Sequence, residues 1–240
     1  MELNFLSRTE SIIGKQGIKI LKDRTVAIFG VGGVGSFTIE ALARTGLGKL
    51  ILIDNDNICI TNINRQIHAT HSTIGRTKVE AMKKRILDIN PEIEVITYKQ
   101  SYNVNNWQDL LKADYDYVVD AIDSITSKIH LIEKCKEINI PIVSSMSAGN
   151  KIDPTQFVID DIYNTSVCPI AKILRKELRK RDIMELKVVY SKEKSKYVRK
   201  SENNHVPGSI AFVPSVVGLI LASVVVRDLI DLNIANECQA

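Results

Sequence analysis

Short apolar runs alternate with stretches of helical period through the first 150 residues of this chain. Val26-Ala27-Ile28-Phe29 is followed by a helical pattern over 34–45, which Gly46-Leu47-Gly48 ends, and by a second apolar run over 49–53. The helical period returns over 75–88, with Val79, Met82, Ile86 and Ile89 on one face and Asn90-Pro91 as its stop. A strand over 93–98, a short helix over 107–111, a buried strand over 116–121, a helix over 124–138 and a strand over 141–145 complete the series. Strand alternating with helix at this rhythm predicts an α/β fold, Rossmann-like, with a mostly parallel sheet, helices on both faces and ligand bound outside the carboxyl ends of the strands.

The flanks differ from this core. Residues 1–24 have a helical pattern interrupted by Gly14 and Gly17, which predicts two short helices. From Lys151 the pattern predicts a C-terminal extension: a strand over 155–159, a helix over 167–181, a strand over 186–190, a polar and mobile segment over 191–205, a strand over 209–213 and an apolar helix over 216–230. Gly218, Ala222 and Ser223 would let that last helix pack closely against another. With 240 residues, a single domain spanning 1–240 is expected, with a core over 1–150 and an extension over 151–240.

Composition narrows the class rather than the function. Hydrophobic residues at 45% and charged residues at 25% are ordinary for a soluble globular protein. The start MELNFLSRTE does not have the charged and then apolar pattern of a secretory signal, and the longest apolar run, 216–226, is too short to cross a bilayer. A cytoplasmic protein without membrane attachment is expected. Cys59, Cys135, Cys168 and Cys238 form no C-x-x-C pair, so neither a structural zinc site nor a dithiol redox centre is indicated. The 32 Lys and Arg against 28 Asp and Glu are only mildly basic. The helix over 167–181, however, gathers Lys172, Arg175, Lys176, Arg179, Lys180 and Arg181, a face suited to nucleic-acid phosphates or simply to water.

The chemistry is concentrated between Thr25 and Lys78. Gly30, Gly32 and Gly35, with Gly33 between, fit G-x-G-x-x-G at a strand-to-helix turn, where backbone amides and the helix N-terminus receive phosphate. Asp54, 19 residues after Gly35 at the end of the second strand, is placed to accept ribose hydroxyls. A nicotinamide-dependent dehydrogenase would use the same elements. Three features argue for a triphosphate instead: Asn62-Ile63-Asn64-Arg65-Gln66 in a long polar loop, Lys78 beyond it, and Asp123 at a strand end where it could hold magnesium among phosphate oxygens.

GVGGVG, Asp54-Asn55-Asp56, TNINRQ, Lys78 and DAIDS together resemble the adenylating core of the ubiquitin-activating superfamily. Within it, LARTGLGKLILID, TNINRQIHA, INP, DAIDS and IPIVSSMSAGNKIDPTQF resemble the tRNA threonylcarbamoyladenosine dehydratases, and the paired C-x-x-C motifs of carrier-protein enzymes are missing. The resemblance implies that ATP and Mg2+ are used. Asp54 would bind ribose, Arg65, Gln66 and Lys78 the phosphates, and Asp123 the metal, while Arg8 would reach into a partner subunit's site. It also implies a homodimer, modified tRNA as substrate and sulfur-transfer proteins as candidate partners. Adenylation of a sulfur-carrier C-terminus and a non-catalytic nucleotide-binding scaffold stay open as alternatives.

Overall fold

The structure, a computed structural model, describes residues 4–194 and 207–237, with side chains as far as Asp231. Most of the charged segment 191–205 therefore lies outside the described residues. Helix α1 (Ser7–Lys22) is broken at Gly14, whose φ of 70° is non-helical, so it is in effect the two short helices expected. The remaining elements follow as β1 (Thr25–Phe29), α2 (Gly35–Arg44), β2 (Lys49–Ile53), α3 (Lys78–Ile89), β3 (Glu94–Tyr98), α4 (Trp107–Leu110), β4 (Tyr117–Asp120), α5 (Ile125–Glu137), β5 (Ile142–Ser145), β6 (Phe157–Asp161), α6 (Pro169–Arg179), β7 (Lys187–Ser191) and α7 (Phe212–Glu237). The loop between β2 and α3 contains two 3-10 turns, Ile60–Asn62 and His71–Thr73.

One seven-stranded sheet runs in the order β3-β2-β1-β4-β5-β7-β6, parallel except for the antiparallel β6–β7 pair. The α/β architecture is the one expected, and two strands of the extension join the same sheet. Register decides where a ligand can sit. Phe29 is level with Ile53 on β2 and with Asp120 on β4, and Asp120 with Ser144 on β5. Four strands thus end together, and the loops after them share one edge at the reversal of strand order, the crevice position of open α/β sheets.

The interior divides into two apolar layers. On one face, α2, α3 and α7 cover Val26, Ile28, Leu50 and Leu52; on the other, α5 and α6 cover Ala27, Phe29, Ile51 and Val118. Alternate residues of each strand serve opposite layers, as the pleat requires.

Helix α7 departs most from expectation. The predicted strand over 209–213 does not form; the helix instead starts at Phe212 and runs to Glu237. Pro214 falls in its first turn, where a missing N–H breaks no intrahelical bond. A β-carbon on Gly218 would lie 2.4 Å from the Val34 carbonyl oxygen, and the Thr38 hydroxyl donates to the Gly218 carbonyl at 3.0 Å. Glycine therefore lets α7 lie directly on α2. Phe212–Asp231 is long and apolar enough to cross a membrane by length and composition, yet Val213, Val217, Leu221, Val224 and Val225 are buried within the fold.

Candidate active site

The turn after β1 requires its glycines. Gly30 has φ of 98°, and a β-carbon there would stand 2.5 Å from the Ala121 carbonyl oxygen. A β-carbon on Gly35 would fall 1.9 Å from the carbonyl oxygen of Gly30. At Gly32 no atom lies within 4 Å of the β-carbon position, so the backbone faces open space. That space is a cleft of about 530 Å³ bounded by the glycine turn, the β2–α3 loop and the loops after β4 and β5. The N-terminus of α2 opens onto it, bringing the positive end of the helix dipole.

Asp54 sits at the cleft with both oxygens engaged. One accepts from the Val31 amide and the other from the Asp56 amide, each at 2.8 Å. Burial pushes its carboxyl above the ordinary value, against the opposing Lys78 charge and these two amides. Helix α3 begins at Lys78 itself, not at residue 75, because Gly75 (φ 86°) closes a turn and Thr77 is extended. Lys78 is buried, 2.5 Å from Asp56 and 3.8 Å from Asp54. Asp56, quoted in the sequence motif without a role, is thus the closest counter-charge of Lys78.

The polar loop folds back on the cleft. Arg65 donates to the Thr61 carbonyl and the Asn64 side chain, both at 2.9 Å, which holds the guanidinium at the cleft wall. The Asn62 side-chain oxygen accepts from the Cys59 amide at 3.1 Å. Gln66 is buried, and its side-chain oxygen has no partner among the described residues. The same holds for both ring nitrogens of buried His68. Burial, helped by the charges of Lys78 and Arg85, pushes His68 down to about 4.

Asp123 is exposed at the cleft, just before Ser124 caps α5 by accepting from Ser127. Beneath it lies a device that the sequence pattern did not reveal. Lys128 (1% exposed) and Asp120 (0%) form an ion pair at 2.7 Å. Lys128 also donates to Ser144 Oγ at 3.2 Å and to the Ser145 carbonyl at 3.1 Å, while Asp120 accepts from the Ile122 amide at 3.1 Å. The pair ties together the ends of β4 and β5 and the first turns of α5. The only sequence signal was a lysine in a helix, which by itself reads as a solvated charge.

Of the expected site residues, Gly30, Gly32, Gly33, Asp54, Asn62, Arg65, Gln66, Lys78 and Asp123 line the one cleft, and Gly35 supports it from behind. Arg8 is not brought there. It is exposed on the first turn of α1 and flanked by Phe5 and Ile12, which are 53% and 86% exposed. On the expected basic face, Lys180 pairs with Glu177 and Arg181 with Glu177 and Glu133, whereas Arg175 donates to neutral Thr165 and Arg179 lies over the Tyr163 ring, contacts that hold these two guanidinium groups without cancelling their charge. Lys172 and Lys176 remain exposed without an ion-pair partner among the described residues.

The ThiF family profile matches residues 6–238. The chain belongs to the ThiF family. It is 48% identical to the tRNA threonylcarbamoyladenosine dehydratase of Bacillus subtilis over 242 aligned positions, 95% of each chain. Among solved structures it resembles the Escherichia coli tRNA N6-threonylcarbamoyladenosine dehydratase TcdA in complex with ATP, with a TM-score of 0.89 and 33% identity over 96% of this chain and 95% of that one. The AMP complex of the same enzyme gives a TM-score of 0.87 and 34% identity over 97% and 95%.

Proposed function

We propose that this protein is a tRNA threonylcarbamoyladenosine dehydratase, which adenylates the threonylcarbamoyl carboxylate with ATP and closes the side chain into a ring. The observation that carries the proposal is that a glycine turn, a ribose-type aspartate, two phosphate-type cations and a free carboxylate share one cleft, in a chain so similar along its whole length to a dehydratase of that name. A dehydrogenase has no need of the Arg65 and Lys78 cations. A carrier-protein enzyme would be expected to carry the C-x-x-C pairs that this sequence lacks.

In the proposed reaction a carboxylate oxygen bonds to the α-phosphorus of ATP, and the bond to the bridging oxygen breaks, releasing pyrophosphate. A nitrogen or oxygen of the same side chain then attacks the acyl carbon, and AMP leaves with the former carboxylate oxygen. The nucleoside loses one water in total. Asp54 holds the ribose, the glycine-turn amides and the α2 N-terminus take the phosphates, and Arg65, Lys78, Asn62 and Gln66 stabilise charge on the departing pyrophosphate. Lys78 enters this role already oriented by Asp54 and Asp56.

The donor set suits magnesium bound with the nucleotide. Among the described residues no group of three or more His, Cys, Asp or Glu could hold a metal alone, and a single carboxylate plus phosphate oxygens and water is the usual Mg2+ environment. Asp123 would supply that carboxylate, and the ion would neutralise phosphate charge. We further propose a homodimer in which the apolar surface around Arg8 is covered by a second copy and Arg8 completes the partner's site. Lys172, Lys176 and Arg179 are exposed α6 cations available to RNA phosphates.

Incubation with ATP, Mg2+ and tRNA bearing the acyclic modification tests the function. AMP release together with a nucleoside lighter by one water is expected; ATP binding with neither product would overturn it.

A further inference from the structure

Asp123 reaches the cleft with a carboxylate that has no hydrogen bond or ion pair among the described residues. Its position is therefore set by the backbone on either side. Towards β4, the Ala121 amide donates to the Phe29 carbonyl at 2.8 Å, which carries the ladder one residue past the strand. The Ile122 amide donates to the Asp120 carboxylate at 3.1 Å and closes a turn directly before Asp123. Towards α5, the Ser127 amide donates to Ser124 Oγ at 3.4 Å and the Lys128 amide to the Ser124 carbonyl at 2.9 Å. Asp123 thus lies on the link between an aspartate turn and a helix cap.

Both supports end on the buried pair. The Asp120 oxygen that Ile122 does not use is 2.7 Å from Lys128 Nζ and accepts from Ser144 Oγ at 2.5 Å. Lys128 also donates to the Ser145 carbonyl at 3.1 Å, and Ser145 Oγ donates to the Asp120 carbonyl at 3.2 Å. A cation from the first turn of α5 therefore grips the carboxylate that shapes the turn before Asp123, and both are anchored to β5. Any shift of α5 against β4 is a shift of Asp123.

A buried ion pair carries a desolvation cost, and well-packed apolar residues of similar volume are often as stabilising. The other buried carboxylate near these loops, Glu193, only holds backbone: it accepts from the amides of Ile152 and Asp153, each at 3.1 Å. What the Lys128–Asp120 pair contributes beyond stability is the placing of one oxygen donor. Magnesium takes its oxygen ligands close to octahedral positions at about 2.0–2.1 Å, so a small displacement of the carboxylate weakens it as a ligand. Groups that orient a ligand from behind typically account for about 10–100-fold in metal affinity.

We propose that Lys128, acting through Asp120, is the positioning residue of the Asp123 carboxylate, an assignment that rests on Asp123 as the magnesium carboxylate of the dehydratase proposed above. Calorimetry reads it as the ratio of ATP affinities with and without Mg2+, in proteins first shown by thermal melting to be folded. In Lys128→Met/Asp120→Asn, where the pair is replaced rather than broken, this ratio should fall by about tenfold, with ATP affinity in the absence of Mg2+ kept at the wild-type value. Ser144→Ala, which removes only the hydroxyl shared by the two charges, is the milder perturbation and should lower the ratio by about threefold. Asp123→Asn should lower it too, and combining Asp123→Asn with Lys128→Met/Asp120→Asn should lower it no further, because both act at one point.

A pair with a merely structural role would change the melting temperature and leave the ratio alone. A wild-type ratio in either folded variant, additive losses with Asp123→Asn, or a wild-type protein whose ATP affinity ignores Mg2+ would overturn the assignment. A protein that shows the expected ratios but releases no AMP with tRNA bearing the acyclic modification would refute the dehydratase function while supporting the positioning role, so the two failures are distinguishable.

Discussion

Replacing Lys128 by methionine removes one half of the buried pair beneath Asp123 while keeping an unbranched side chain of similar length. Asp120, with no exposure, would keep only Ser144 Oγ at 2.5 Å and the Ile122 amide at 3.1 Å as donors. Leaving a charge buried without its partner costs about 3–5 kcal/mol. In a domain of this size each kcal/mol moves the melting temperature by roughly 2–4 °C, so a fall of about 10 °C is expected. Adding Asp120→Asn neutralises the stranded carboxylate and should recover a large part of that loss. Differential scanning calorimetry of the two single variants and the double variant reads this directly. A Lys128→Met protein that melts within a degree or two of wild type, or a double variant no better than the single one, would refute the account of the pair.

Other consequences concern the cleft and its surroundings. Lys78→Ala should lower AMP formation by about a hundredfold or more, since a charge-stabilising donor is lost, while the protein still melts cooperatively; near-normal turnover would remove Lys78 from the chemistry. In an isolated heterodimer of Arg8→Ala with Lys78→Ala, one of the two composite sites is intact, so about half of wild-type activity should return, whereas an inactive heterodimer would exclude action across the interface. His68 is held neutral, at about 4 in the fold against 6.5 when exposed. Between those values the unfolded chain binds more protons, so stability falls as pH drops from about 6.5 to about 4, by about 3 kcal/mol in all. Urea unfolding at pH 7 and pH 4.5 should show a smaller loss for His68→Gln, and equal losses would contradict this.

What could be read in the sequence was whatever is repeated locally in the chain. The glycine turn is legible because its spacing is local, although only Gly35 answers a clash within the turn, with the Gly30 carbonyl, and Gly30 answers one with distant Ala121; the aspartate at the end of β2 follows from spacing alone. The TNINRQ loop and Lys78 stood out as amides and cations where a mere connector needs none. Lys128 and Glu193 did not stand out, because their partners lie on other elements: Ser144 on β5 and the amides after Asn150. One sat in an ordinary amphipathic helix and the other in a charged run, both of which resemble solvated surface. The segment before α7 was misjudged for a related reason. Ile210, Phe212 and Val213 have strand-like side chains, and Pro214 looked like a boundary, but a proline in a helix's first turn marks its beginning. On α6 and just after it the six basic residues were visible and the contacts that hold four of them were not, because Thr165, Tyr163 and Glu133 meet them only in three dimensions.

The central claim is that a carboxylate of the tRNA side chain is joined to the α-phosphate of ATP, and an oxygen isotope follows that bond. If tRNA carrying the acyclic modification with an 18O-labelled threonyl carboxylate is turned over in ordinary water, the label should appear in the phosphate of AMP as the ring closes. AMP free of label, or AMP that takes its new oxygen from 18O-labelled solvent instead, would contradict carboxylate adenylation.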